Sequence, residues 1–372
     1  MDLRHTQAVI DLTAIKDNLK TIRTRLVNPG TGIMAVVKAN AYGHGLNAVA
    51  ETALSAGCSH LAVALPDEGV ALRQAGIAAP VIVLGLIAPE EADVCARHNL
   101  TVTVCADEHL PPLAAAAKKT GRPVGVMLKA DTGMNRIGAN HADAIKLAGR
   151  LKKMTGLHFF GLFTHFASAG GPDLAYAKEQ LGKFRGLVFR LEELGLRPPL
   201  VSAAASGAIF TLPDSQFDLV RAGIAMYGLY PSDFIAARYK LSPALQLITR
   251  ISHINDLPAA APVSYEMTWR AKEDCRIAVL PLGYGDGYSR LLSNRAEVLI
   301  GGRRCAVAGN VCMDQLMVCL GANDDVRVGD QAVLIGRQGG DAITLEELAR
   351  AAGTVNYELA CNIAARVPRV YI

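Results

Sequence analysis

Short runs of apolar, mostly β-branched residues recur along the first two thirds of the chain, separated by alanine-rich stretches with helical spacing. The runs are Ile33 to Val37, Leu61 to Leu65, Val81 to Leu84, Thr101 to Val104, Val124 to Leu128, Phe159 to Thr164, Leu200 to Ser202 and Leu219 to Val220. Their apolar positions are continuous rather than alternating, the pattern of strands buried on both faces, and strands that take turns with helices form parallel sheets. Eight such units predict a (β/α)8 barrel over residues 11–240. On periodicity alone, an open doubly wound sheet fits the same text. Beyond Pro231 and Pro243 the helical period gives way to strand-like runs at Leu245 to Ile254, Cys275 to Leu280, Glu297 to Ile300, Gln315 to Leu320 and Gln331 to Ile335. A mainly β domain is therefore expected over residues 241–372. One helix interrupts it, where Thr344-Leu345-Glu346-Glu347 reads as a capping box ahead of Leu345, Leu348, Ala349 and Ala352 at helical spacing. Residues 1–10 hold another strand candidate, Ala8-Val9-Ile10, which suits either domain.

Composition narrows the function more than the fold. A chain of 372 residues exceeds most single cores, in keeping with two domains. Lysine and arginine total 38 against 34 acidic residues, and the charges are scattered, which argues against a nucleic-acid partner. No apolar stretch approaches the roughly 18 residues that span a bilayer. The start, Met1-Asp2-Leu3-Arg4-His5-Thr6, has no apolar core of a secretory signal, so a cytoplasmic location without membrane partners is expected. The eight cysteines form no Cys-x-x-Cys and no cluster with histidine at zinc spacing; reduced thiols and no metal site are expected.

The chemistry concentrates at the ends of the predicted strands. Val36-Val37-Lys38-Ala39-Asn40-Ala41-Tyr42-Gly43-His44-Gly45 sets a lysine at the end of an apolar run, before a small-residue turn that carries a tyrosine. Poor hydration there lowers the ammonium pKa and leaves some neutral amine, the form that makes a Schiff base. A lysine snorkelling from a strand end is the ordinary alternative. In barrel enzymes the working residues lie at the carboxyl ends of strands. Lys129, Asp131 and Arg136 follow the fifth run, His165 the sixth, Ser206 the seventh, and Arg221 with Gly223 the eighth. One histidine after a strand is commonly a structural group, whereas five strand ends in agreement point to a site. Ser206-Gly207 and Arg221-Ala222-Gly223-Ile224 suit a phosphate near strands seven and eight, where barrels recurrently bind one.

These strings, together with Val263-Ser264-Tyr265, Pro281-Leu282-Gly283-Tyr284-Gly285-Asp286-Gly287-Tyr288 and Val311-Cys312-Met313-Asp314-Gln315, resemble the alanine racemase family over essentially the whole chain. The resemblance implies the barrel rather than the open sheet, and an N-terminal strand that joins the second domain. It further implies pyridoxal 5′-phosphate as cofactor and a homodimer whose sites are shared between subunits. Carried over position by position, Lys38 holds the cofactor as a Schiff base and serves as one base, and Tyr265, reaching the partner subunit's site, is the other. Tyr42, Ser206, Gly223, Ile224 and Tyr357 would hold the phosphate. Arg136 and the Met313 backbone, flanked by Cys312 and Asp314, would meet the substrate carboxylate, and Arg221 would face the pyridine nitrogen. Lys129 is similar to a lysine that some members carry as a carbamate bracing Arg136, and Tyr284 resembles an entrance residue.

A tyrosine base needs its pKa, ordinarily about 10, lowered by nearby positive charge, and a network of His165 and Arg221 is expected to supply it. Two departures stand out. Glu266 occupies a position where many members have glycine, and Val201-Ser202-Ala203-Ala204-Ala205-Ser206 lacks the histidine and asparagine that some carry, leaving Ser202 as the candidate partner of Arg221. The expected reaction is interconversion of L-alanine and D-alanine, supplying D-alanine for peptidoglycan. The alternatives are a racemase for another or broader range of amino acids, a decarboxylase on the same barrel, and a non-enzymatic cofactor-binding protein. Arg221 and Tyr265 oppose the decarboxylase, and retention of both bases opposes the binding protein.

Overall fold

The computed structural model describes residues 4–321 and 325–372. The chain forms two compact units. One comprises Ile15–Ala41 and Leu46–Ser242; the other comprises the described residues up to Ala14, Tyr42–Gly45 and Pro243–Ile372. Four residues of the lysine decapeptide thus belong to the second unit although the barrel sequence surrounds them.

Eight parallel strands make the first unit's sheet: Gly32–Val36, His60–Val63, Val81–Val83, Leu100–Val104, Val124–Lys129, Leu157–Phe163, Leu200–Ser202 and Leu219–Ala222. The first pairs with both the second and the eighth. A bridge between Ala205 and Arg221 draws the seventh and eighth together, so the sheet curls into a nearly closed barrel. The fold class expected from the sequence is the one observed. Strands such as Leu100–Val104 are buried at every position, which is why their apolar residues run without alternation. The intervening helices cover the barrel with one face each. His141–Lys153, for example, buries Ala144, Leu147, Ala148 and Leu151 and is capped by Asn140, whose side chain accepts from the Asp143 N–H at 3.0 Å.

The second unit is mainly β. A seven-stranded sheet runs in the order Arg303–Ala306, Glu297–Ile300, Gln331–Gln338, Leu245–Arg250, Gln7–Ile10, Arg369–Tyr371, with Asp341–Ile343 alongside Gln331–Gln338. Gln7–Ile10 therefore lies between a strand that opens this unit and one that ends it. The expected single run Leu245 to Ile254 is two strands in different sheets. Leu245–Arg250 stays in the large sheet, the chain turns at Ile251 and Ser252, and His253–Leu257 begins a three-stranded sheet with Cys275–Leu280 and Leu316–Gly321. Pro262–Val263 and Trp269–Arg270 form a hairpin whose loop carries Tyr265. Helix Leu345–Ala352 starts at Thr344, whose hydroxyl accepts from the Glu347 N–H at 3.1 Å. The reciprocal half of the capping box is missing, because Glu347 is drawn to Arg304 at 2.6 Å. A second helix, Asn356–Cys361, carries Tyr357. Among the described residues no helix is long and apolar enough to cross a membrane.

Candidate active site

Within the barrel unit, the polar residues singled out in the sequence converge at the carboxyl ends of the strands. The field at His165 records this convergence. Burial, followed by the charges of Arg221, Lys129, Arg136 and Lys38, pushes its pKa down to about 3. His165 is therefore neutral at physiological pH, which corrects the expectation that it shares in supplying positive charge; Arg221 carries that charge alone. Arg221 Nη2 lies 3.2 Å from His165 Nδ1. A guanidinium only donates, so Nδ1 accepts and the ring proton sits on Nε2.

Arg221 is almost fully buried and is held by oxygens that carry no charge. Nη1 donates to Ser202 Oγ at 2.8 Å and to Ser202 O at 3.2 Å, while Nη2 donates to Thr164 O at 2.7 Å and Ala203 O at 3.0 Å. Ser202 thus supplies the partner suggested by the sequence. Burial pushes the Arg221 pKa down to about 10, which still leaves the group charged near neutrality. Lys129, on the last position of the fifth strand, is also buried. Burial first, then Arg136 and Arg221, lowers its pKa to about 8. Arg136 is exposed. None of Lys129, Arg136 and Arg221 pairs with a carboxylate among the described residues. The nearby Asp131 is committed elsewhere, with Oδ1 accepting from the N–H groups of Gly133, Met134 and Asn135 at 2.8, 2.9 and 3.2 Å. The barrel end therefore holds an excess of cation whose natural complement is an external anion.

Ser206, after the seventh strand, is buried and its Oγ accepts from Gly223 N at 3.0 Å and Ala225 N at 3.3 Å. Those two bonds use the oxygen's lone pairs and leave the hydroxyl hydrogen to donate. Lys38 opens a turn in which Ala39, Asn40, Ala41 and Tyr42 all have φ between 51° and 54°. That is one turn of left-handed helix without a glycine, a conformation that costs about 1–2 kcal/mol per residue. Glu68 helps to hold it, as its Oε1 accepts from Ala39 N at 2.5 Å and its Oε2 from Ala64 N at 2.8 Å and Leu65 N at 3.2 Å.

The second unit carries the remaining candidates. Tyr42 and Tyr357 have ring centroids 6.2 Å apart. Burial raises both phenol pKa values, that of Tyr357 to about 12, so both stay protonated and act as donors. Tyr265 is 70% exposed and its side chain makes no hydrogen bond among the described residues. It sits between Ser264 (φ +66°, ψ −177°) and Glu266 (φ +62°), followed by Met267 (φ +52°). The Ser264 conformation is one that glycine alone adopts readily, and each such residue costs on the order of 1–3 kcal/mol. Glu266, at the position noted above for glycine, pays the same kind of cost. Met313 is exposed, and its carbonyl accepts from Gly285 N at 2.9 Å, while Tyr284 N donates to Cys312 O at 3.0 Å. Asp314 accepts from Arg366 at 2.7 Å, and Arg366 also reaches the buried Asp286 at 2.7 Å. Among the described residues there is no cluster of histidine, cysteine, aspartate and glutamate that could hold a metal ion.

Three contributors were not singled out from sequence. Ser264 and Asn310 lie within or beside the quoted strings, so their neighbourhood was visible but not their contacts. Glu68 had no signal at all, because an acidic residue in the first turn of a helix is ordinary.

Comparison with known proteins gives a consistent picture. A family model described as alanine racemase, N-terminal domain, matches residues 10–231, and one described as alanine racemase, C-terminal domain, matches 244–371. An alanine racemase of Symbiobacterium thermophilum is 43% identical over 369 residues, covering 99% of this chain and 97% of its own. The crystal structure of alanine racemase from Bacillus anthracis with bound L-Ala-P superposes with a TM-score of 0.94 at 37% identity, covering 100% of this chain and 96% of that one. A histidine racemase from Leuconostoc mesenteroides is more distant, with a TM-score of 0.91 at 30% identity over 100% of this chain and 99% of its own.

Proposed function

The chain belongs to the alanine racemase family, and we propose that it interconverts L-alanine and D-alanine through two bases, Lys38 and Tyr265, with pyridoxal 5′-phosphate as cofactor. The observation that carries this reading is the convergence of Lys129, Arg136 and Arg221 at the barrel's strand ends, none of them ion-paired with a carboxylate among the described residues. A cofactor phosphate and an amino-acid carboxylate supply the missing negative charge. The donors fit a phosphate in kind: the Ser206 hydroxyl and the Ile224 backbone would face it, with Gly223, whose N–H is held by Ser206 Oγ at 3.0 Å, admitting close approach, and the phenols of Tyr42 and Tyr357, whose protons stay on, would add to them. When bound, the cofactor would provide the electron sink that makes the α-hydrogen of an amino acid removable.

The roles of the side chains follow. The Lys38 amine would attach the cofactor and move a proton on one face, and the Tyr265 oxygen would move a proton on the other. Arg136 and the Met313 N–H would orient the substrate carboxylate. Arg221 stays charged and can only donate, so, set at the cofactor's ring nitrogen, it would leave that nitrogen unprotonated and temper the sink. His165 would keep Arg221 in place. A carbamate on Lys129, formed from its neutral amine and carbon dioxide with loss of a proton, would turn a buried cation into an anion able to brace Arg136.

We assign the protein to the cytoplasm and to the supply of D-alanine for peptidoglycan, acting as a homodimer. The decisive experiment is incubation of the cofactor-loaded protein with L-alanine in deuterium oxide, following α-deuterium and D-alanine by chiral chromatography. Deuterated D-alanine is expected. A protein that exchanges L-histidine, L-serine, L-lysine or L-arginine instead is a racemase of the second kind, the reading favoured by the more distant histidine racemase neighbour. No exchange with any of them would sink the enzymatic reading.

A further inference from the structure

We propose that Asn310 is the positioning residue for Tyr265, locking the strained turn that presents this base and fixing its spacing from the Met313 backbone; the proposal rests on the two-base reading above. The Tyr265 side chain makes no hydrogen bond among the described residues. Within its own unit, then, only the backbone decides where the phenol goes. That backbone is in a conformation it would not keep unaided, since Ser264, Glu266 and Met267 all have positive φ.

Asn310 engages the residue before, at and after the strained peptide. Ser264 Oγ donates to Asn310 O at 2.6 Å, Asn310 Nδ2 donates to Tyr265 O at 2.9 Å, and the same nitrogen donates to Glu266 Oε2 at 3.2 Å. Both hydrogens of the amide are thereby used. The clamp is itself anchored on either side, with Gly309 N donating to Asn294 Oδ1 at 2.7 Å and Val311 N to Ser293 Oγ at 2.9 Å. Gly309 (φ +79°) is needed for the close approach, because a Cβ there would lie 2.6 Å from Val263 O. Ser264 Oγ also lies 3.4 Å from Cys312 Sγ, so the clamp continues into the segment that ends at Met313. One short, buried stretch of chain therefore references the base and the carboxylate-binding backbone to each other.

The residue type matters. Aspartate at 310 would set a carboxylate against the Tyr265 carbonyl and the Glu266 carboxylate, and alanine would leave the turn with the Ser264 bond to the 310 carbonyl, the long Met267 N–H bond to Ser264 O at 3.4 Å and the Glu266–Arg290 pair at 3.6 Å, none of which holds the Tyr265 carbonyl. A turn released in this way misplaces the phenol without removing it.

The test uses the cofactor-loaded full chain. Asn310→Ala and Asn310→Asp are compared with wild type for steady-state rates and for primary isotope effects on α-deuterated L- and D-alanine, alongside backbone amide exchange over 262–270. The expected result is a fall in kcat between about tenfold and a hundredfold, the scale of a small misplacement of a reacting group. The isotope effect should rise in the direction in which Tyr265 removes the proton and fall in the other, with faster amide exchange confined to the turn. Rates lowered with wild-type isotope effects in both directions, or amide exchange unchanged at 264–267, would overturn the proposal. Ser264→Ala, which deletes one strut and leaves Asn310 intact, should give the same asymmetry in weaker form and serves where the Asn310 variants do not fold; wild-type behaviour there also counts against it. Tyr265→Phe separates the two levels. If that variant racemises alanine with unaltered isotope effects, the base assignment fails and this proposal with it. If it loses one proton transfer while the Asn310 variants do not shift, only the clamp fails.

Discussion

Lys129 is a buried ammonium with cations for neighbours, and its pKa is lowered from 10.5 to about 8, by burial first and then by Arg136 and Arg221. Its depressed pKa gives a signed prediction. Between about pH 8 and 10.5 the unfolded chain keeps this proton while the folded chain has released it, so folding gains stability as pH rises through that window. Below it both states are protonated and the folded state bears the full burden. In buffer free of carbon dioxide, Lys129→Met should therefore melt a few degrees above wild type at pH 7, and the gap should close towards pH 10.5. Bicarbonate should close it at neutral pH by raising wild type alone, if the amine becomes a carbamate. A gap insensitive to both pH and bicarbonate in thermal melts would contradict this account. The identity of such residues was legible in the sequence because strand ends mark the working face of a barrel. The protonation states were not. His165 is neutral because it is buried and because charges from three other strand ends press on it together, and no local string contains that sum.

The left-handed turn from Ala39 to Tyr42 is the element most at odds with its own sequence. Ala-Asn-Ala-Tyr contains no glycine, and its backbone would relax to ordinary helix or loop if nothing opposed it. The Val37 carbonyl takes the Ala41 N–H at 2.8 Å, Asn40 Oδ1 takes the Leu46 N–H at 2.9 Å, and Glu68 takes the Ala39 N–H together with two more from the second strand's exit. Glutamine at 68 has one acceptor oxygen where three donors point, so at least one N–H loses its partner, at about 1–3 kcal/mol if it stays dry. Glu68→Gln should lower the urea midpoint and, because the turn begins at Lys38, weaken retention of pyridoxal 5′-phosphate on dialysis. Wild-type values for both would remove Glu68 from the account of how Lys38 is held. Strands and the long helices were readable because burial on two faces or on one stripe leaves its mark on every residue. The hand of a turn, the break at Ile251 and Ser252 and the diversion of Glu347 to Arg304 were not, since each is decided by a distant partner.

At the scale of the whole molecule, the two proposed bases belong to different compact units, Lys38 to the barrel and Tyr265 to the mainly β unit. The second unit exposes Tyr265, Met267, Tyr284 and Met313, and contacts through Ser264, Cys312 and Gly285 link the loops that bear them. Large apolar side chains gathered on a surface in this way mark a place meant to be covered. A second copy of the chain, related by a two-fold axis, would cover both such faces at once and give each site one base from each subunit. Diluted below the dimer dissociation constant, the enzyme should lose specific activity as its mass at sedimentation equilibrium falls to that of one chain. Complementation is sharper. Lys38→Ala and Tyr265→Ala are each expected to be nearly inactive alone. After dissociation and random reassociation of an equal mixture, half of the dimers are mixed, and each mixed dimer has one site with both bases intact. About a quarter of wild-type activity should therefore return. If each base served the site of its own chain, every site in the mixture would lack one of the two and nothing would return, so recovery or its absence decides whether the site is shared.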